Sequence, residues 1–208
     1  MNGHTTTLLL VRHGHVEGIQ PERFRGRAEL PLTALGESQA EALRDRIAVE
    51  WSPEAVYSSP MRRCLRTATI VAQPSRSRIK SMSGLNDIDY GAWQGMSDDE
   101  VRPEWPEELA RWRRTPHLVT IPGGESLQDI ATRTISALHA ILHAHRDRTI
   151  VIVAHDSVNR VLLLHALDLP LARFWSIMQA PCTLNVLEHD SGRFVLHTLN
   201  ETGHTLRC

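Results

Sequence analysis

Lysine is almost missing from this chain of 208 residues: among 23 basic side chains, Lys80 is the only lysine. Arginine grips phosphate and carboxylate in a bidentate way that lysine cannot, although a GC-rich coding sequence produces the same bias. An excess of one charge sign is missing too, since 24 acidic side chains leave a net charge of -1. That balance supplies no field for nucleic acid or an anionic membrane, and neither is expected as a partner. Cysteine is scarce: Cys64, Cys182 and Cys208 are odd in number and form no CxxC pair. This argues against a disulfide framework or a zinc ribbon and for reduced thiols in a cytoplasmic protein. The apolar run near the N-terminus, Leu8 to Val11, is far below the ~20 residues that span a bilayer. No basic, apolar, small-residue signal pattern is present, and there is no internal repeat, low-complexity tract or Ser/Gly-rich linker. A 41% hydrophobic and 23% charged composition excludes a disordered chain.

What is present reads as strands alternating with helices. Thr7 to Val11 is a short apolar strand that ends at Arg12-His13-Gly14. A helix is expected from a Thr33 cap, with Glu37 as the capping-box acid and Ala40, Leu43 and Ile47 on one face. Ala55 to Ser58 is a second strand, and Pro60 suits the first turn of a helix reaching about Val71. Residues 84–124, rich in Trp, Pro, Gly and acid, read as an inserted, cap-like surface segment with short helices. Leu127, Ile130, Thr134, Leu138, Ile141 and Leu142 mark an amphipathic helix. Thr149 to Ala154 is the strongest strand, closed by His155-Asp156 and followed by a helix through Leu167. Thr183 to His189 and Arg193 to Leu199 alternate around Asp190-Ser191-Gly192, a hairpin. The pattern predicts one domain over 1–208, a three-layer α/β/α sandwich with a mostly parallel central sheet.

In such sheets ligands bind outside the carboxyl ends of the strands. Two histidines and several arginines follow those ends: Arg12-His13, then Arg62-Arg63 after Ser58, then His155-Asp156. Phosphoryl transfer needs a nucleophile, cations on the equatorial oxygens and an acid for the leaving oxygen. A neutral imidazole with one free ring nitrogen is a competent nucleophile. Arg12 and Arg63 would supply fixed charge, and His155 would donate to the same oxygens.

At these residues the chain resembles the histidine phosphatase superfamily, the phosphoglycerate mutase-like group (branch 1). Leu10-Val11-Arg12-His13-Gly14 is similar to its strand-ended signature, and Tyr57 to Arg63 with Thr67-Ala68 to its second motif. Leu85 to Gly95 resembles the acid-bearing segment, Pro122 to Ser126 the entry to the next helix, and Val153-Ala154-His155 the second histidine strand. The resemblance implies a phosphohistidine at His13 and a phosphate pocket of Arg12, Arg63 and His155, with neither metal nor cofactor. The acid would fall on Asp87, where most members carry glutamate. Asp156 competes for that role, because a His-Asp pair supplies the proton donor in the acid phosphatase branch. Arg25 and Gly26 resemble residues lining the substrate mouth, and Tyr90 in the acid-bearing segment joins them. Trp112-Arg113-Arg114-Thr115 is superficially similar to a substrate-gripping arginine pair of the mutases.

The expected activity is metal-independent hydrolysis of a small phosphorylated metabolite. A cofactor-dependent phosphoglycerate mutase is the alternative, and it needs a site closed to water. A non-catalytic phospho-ligand-binding protein is a third reading, motivated by the two aspartate departures. A second copy of the chain is a candidate partner, and no helix face carries an extra apolar stripe that would decide it. His139 and His143 have helical metal-pair spacing but no intervening glutamate, so a solvated face fits better, and nearby His145 adds little. Trp93, Trp105, Trp112 and Trp175 read mostly as packing residues, and Cys64 as a buried thiol.

Overall fold

The computed structural model describes residues 5–206 and 208. β1 (Thr6–Arg12) turns Leu8 and Leu10 to one face and Leu9 and Val11 to the other, as the two-residue period of a strand requires. β2 (Ala55–Ser58), β3 (Arg78–Ser81) and β4 (Thr149–Ala154) lie parallel to it, and β5 (Leu184–Asp190) and β6 (Arg193–Glu201) add an antiparallel hairpin. The six-stranded sheet runs β3-β2-β4-β1-β5-β6. Both faces are covered, which is why β1 and β4 read as unbroken apolar runs. Ser191 and Gly192 take positive φ of 50° and 87° at the tip of the hairpin, the conformation a two-residue turn demands. β3 escapes sequence reading because its Arg-Ile-Lys-Ser run is polar and only partly buried at the sheet edge.

α1 (Ala34–Glu50) and α2 (Arg62–Val71) cover one face, where Ala40, Leu43, Ile47, Ala68 and Ile70 pack on Leu9, Val11, Val151 and Val153. Thr33 caps α1 through a bond from Gly36 N, but the expected capping box is absent. The third helical position is Gly36, and Glu37, one residue later, pairs instead with Arg66 at 2.6 Å. Pro60 is likewise not in the first turn of α2: it stands just before the Met61 cap and bends the chain into the helix.

On the other face lie α3 (Asp98–Val101), α4 (Pro106–Arg114), α5 (Leu127–Ala144) and α6 (Asp156–Ala166). The stretch 84–124 is mostly short helices and turns, as its composition suggests, yet it is not merely superficial. Leu85, Ile88, Trp93, Leu109, Trp112 and Ile121 are buried in one core with α5, α6 and the strands. Their spacing has no period, so sequence patterning hides burial that the long-range contacts create. Trp93 and Trp112 are fully buried, and truncating either to alanine would cost roughly 3–5 kcal/mol.

Two backbone approaches fix the loops beside the strand ends. A Cβ on Gly36 would lie 2.2 Å from His15 O, so only glycine lets the start of α1 rest on the loop after β1. Similarly, a Cβ on Gly124 would lie 2.4 Å from Asp89 O, which places the Pro122–Ser126 turn against the stretch that follows Asp87.

Candidate active site

β1 and β4 pair in register to Arg12 opposite Ala154, and His13 N then donates to Ala154 O at 3.0 Å. This ladder delivers His13 and His155 to one rim, their rings 5.3 Å apart and edge to face. His13 Nδ1 lies 2.7 Å from Gly14 O. A carbonyl only accepts, so Nδ1 carries the proton and Nε2 the lone pair. Arg63 Nε donates to that Nε2 at 3.2 Å. Burial, then the charge of Arg63, His155 and Arg12, holds the His13 pKa well below the ordinary imidazole range despite the Gly14 carbonyl. His155 is held well below it by burial first and by Arg63 and Arg12 next. Both rings are therefore neutral near pH 7.

Arg63 is fully buried, with Nη1 bonded to Ala28 O at 2.7 Å and Nη2 to Gly26 O at 2.7 Å and Asp87 Oδ2 at 3.0 Å. Arg62, its neighbour, is exposed and outside the site. Arg12 is buried as well; its Nη1 donates to Gln179 O at 2.5 Å, and its Nε has no partner. Gln179 is fixed by reciprocal amide bonds with Asn185 at 3.0 and 2.9 Å.

Asp87 accepts from Ser157 Oγ at 2.6 Å and from Ile88 N at 2.9 Å, besides Arg63. Its Oδ2 stands 3.5 Å from His155 Nδ1, while His155 Nε2 sits 2.9 Å from Ser59 Oγ. Asp156 is elsewhere occupied: its Oδ1 lies 2.8 Å from Arg160 Nε, an ion-pair contact off the angle that a hydrogen bond needs. Arg25, Gly26, Tyr90, Asp87, Asp156 and Trp175 line a small cavity of about 30 Å³. The structure thus brings Arg12, His13, Arg63, Asp87 and His155 together, with Arg25, Gly26, Tyr90 and Asp156 on the adjoining cavity.

Several partners were invisible in the sequence. Ser157 and Ser59 bond Asp87 and His155 across 70 and 96 residues of chain. Arg133 on α5 binds Gly84 O, Asn86 O and Asp87 O and pairs with Glu125 at 2.9 Å, clamping the acid-bearing segment. Arg113 and Arg114 do not grip the site: Arg113 is bidentate on Asp98 at 2.6 and 3.0 Å, and Arg114 is exposed. Cys64 is buried, its thiol pKa pushed up by that burial, with Sγ 3.4 Å from His155 Nε2. His145 is no solvated bystander; it is buried between Glu54 at 2.6 Å and Tyr57 OH at 2.9 Å. Among the described residues, no three His, Cys, Asp or Glu side chains converge as metal ligands, and no helix is long and apolar enough to cross a membrane.

Comparison with known proteins extends this picture. Phosphoserine phosphatase 1 of Hydrogenobacter thermophilus is 32% identical over 197 residues, covering 95% of this chain and 93% of the relative. A 2,3-bisphosphoglycerate-dependent phosphoglycerate mutase of Brucella ovis is 35% identical over 170 residues, 78% of this chain and 81% of that one. The solved structure of Bacillus stearothermophilus YhfR superposes with a TM-score of 0.90 at 32% identity, covering 96% of this chain and 99% of that one. The family model described as histidine phosphatase superfamily (branch 1) matches residues 8–202, from the first strand past the last. A match that runs through both histidine-bearing strand ends and the segment between them makes this chain a member of the histidine phosphatase superfamily, branch 1, with the phosphoglycerate mutase-like fold.

Proposed function

We propose that the chain hydrolyses small phosphomonoesters through a phosphohistidine on His13, without a metal. The observation that carries this is the His13 ring: Nδ1 is spent on Gly14 O, and the lone pair of Nε2 faces Arg63 among cationic neighbours. Substrate phosphate enters beside Arg12, Arg63 and His155. Arg63 Nε then turns from His13 to a phosphoryl oxygen, and His155 Nδ1, 3.5 Å from Asp87 and too far for a hydrogen bond, donates to another. Nε2 attacks phosphorus in line as the ester P–O bond breaks, and Asp87 gives its proton to the leaving oxygen. Asp87, now a carboxylate, takes a proton from water, whose oxygen attacks phosphorus. The P–N bond breaks, phosphate leaves, and His13 and Asp87 regain their starting forms.

Asp87 is favoured over Asp156 as the acid because its carboxyl group stands beside Arg63 and His155, two of the groups placed around the phosphate. The side chain is one methylene shorter than the family's usual glutamate. The clamp of Arg133 and the bond from Ser157 support its place at the site. We read 1–208 as one domain in which 84–124 caps the pocket, since Asp87 and Tyr90 of that stretch line the cavity. A cytoplasmic location is supported by the unpaired thiols of Cys64, Cys182 and Cys208. Homodimer formation stays a proposal that mass by light scattering tests.

The test is phosphate release from p-nitrophenyl phosphate in excess chelator, for wild type and His13→Ala. Chelator-resistant release that the variant loses is expected; release unchanged in the variant sinks the phosphohistidine. The second reading, a mutase, draws on the Brucella relative, and Arg113 tied to Asp98 opposes it. Exchange of phosphate between two positions of glycerate, with none set free, would favour the mutase.

A further inference from the structure

Beyond the phosphate pocket, the cavity holds charges that phosphoryl transfer does not use. Arg160 on α6 is only 8% exposed, its guanidinium 5.2 Å from the Phe174 ring and 4.8 Å from the Trp175 ring. Its Nε and Nη1 are buried and donate to nothing. Arg25 spends Nη1 on Gly18 O at 2.6 Å, and its Nε is likewise buried without a partner. Asp156 Oδ1, beside Arg160, accepts no hydrogen bond either. Unmade hydrogen bonds of buried charged groups cost free energy, roughly 1–3 kcal/mol each, so arginines kept only for structure are normally satisfied. Arg160 Nη1 and Arg25 Nε are thus left as unmade donors, and Asp156 Oδ1 has only its ion-pair contact with Arg160, beside a cavity whose lining includes Arg25, Asp156, Phe174 and Trp175.

We infer that Arg25, Arg160 and Asp156 form a second, bipolar subsite that takes the amino-acid end of a phosphorylated amino acid. This rests on the phosphohistidine reading above and names its substrate class. The guanidinium donors of Arg160 and Arg25 take the substrate carboxylate, and Asp156 takes the ammonium. The exchange keeps every charge paired: the carboxylate replaces Asp156 on Arg160, and the ammonium replaces Arg160 on Asp156. A phosphorylated hydroxy acid sets its hydroxyl against an Asp156 with no ammonium to face. A phosphorylated amine without a carboxylate leaves the arginine donors unmade.

Three alkyl phosphates separate these cases: O-phospho-L-serine, 3-phosphoglycerate with hydroxyl in place of ammonium, and O-phosphoethanolamine without carboxylate. In excess chelator, kcat/KM of the wild type for phosphoserine should exceed each of the others by about tenfold or more, the size of one charged contact. Asp156→Asn should collapse the preference over phosphoglycerate, and Arg160→Gln the preference over phosphoethanolamine. The wild-type ratios decide the matter even if a variant fails to fold. Values within about threefold of one another, or a preference for either of the other esters, overturn the subsite if p-nitrophenyl phosphate is still hydrolysed. No release from any of the four esters overturns the phosphohistidine reading together with it.

Discussion

His13 and His155 leave the carboxyl ends of β1 and β4, whereas His139, His165 and His189 gather near the opposite end, where Thr6 of β1 pairs with His189. The residue type is the same, and the settings differ. At the strand ends the rings are buried, each nitrogen has a defined neighbour, and arginines press both toward the neutral form. At the other end the rings contact one another and Phe194: His139 and His165 stand 5.6 Å apart, and His189 lies 4.7 Å from Phe194. Burial lowers the pKa of His165 and His189 there, but no arginine is among the causes. On the reading proposed above, a fixed carbonyl on one nitrogen and buried cations around the other set His13 apart from the histidines at the far end.

The sharpest break between the two ends is His13→Ala. It should lower phosphate release by about a thousandfold or more, and rapid acid quenching of the variant should trap no phosphoenzyme. Asp87→Asn comes next and depends on the leaving group. Hydrolysis of an alkyl phosphate should fall roughly 10²–10⁴-fold, and that of p-nitrophenyl phosphate much less, because p-nitrophenolate leaves without a proton. Equal losses on both esters would remove Asp87 from the acid role. Arg63→Met leaves Asp87 without its buried partner, and the urea midpoint should report a loss of roughly 3–5 kcal/mol.

The pH dependence of stability sharpens the contrast further. The unfolded chain protonates these imidazoles near pH 6.5, about the free histidine value. The folded chain does so only well below it, so the unfolded state binds more protons in that window. Stability should be full above about pH 6.5 and fall as pH drops below it. A double His13→Gln, His155→Gln variant should flatten the slope more than His165→Gln does. The smallest effect belongs to His143→Ala on the exposed side of α5, within about 0.5 kcal/mol of wild type and with turnover unchanged.

The strands that carry the two histidines were legible because their apolar runs end abruptly in charge, and Arg63 was legible from its place after Ser58-Ser59-Pro60. The site's second layer was not. Ser59 and Ser157 lie in or beside the motifs, but which groups they bond, His155 and Asp87, emerges only when the fold sets them together. Arg133 and Arg160 each sit on a helix whose apolar stripe dominates its pattern, so their inward direction shows only in three dimensions. Burial of Trp93 and Trp112 was hidden for a related reason: aperiodic segments acquire their inside and outside from what they pack on.

Gly36 resting on His15 bears on how the molecule can change. Thr33 N donates to His15 O at 3.0 Å, so the loop of residues 16–32 is stapled shut at its base. Further along, the carbonyls of Gly26 and Ala28 moor it to Arg63. The stretch between these moorings carries Glu22, Arg23 and Arg25 to the cavity. Lengthening or shortening a loop held at both ends costs only a logarithmic closure entropy. Side chains facing the cavity can therefore drift in that stretch while His13 keeps its place, and the fold inherits its chemistry separately from its diet.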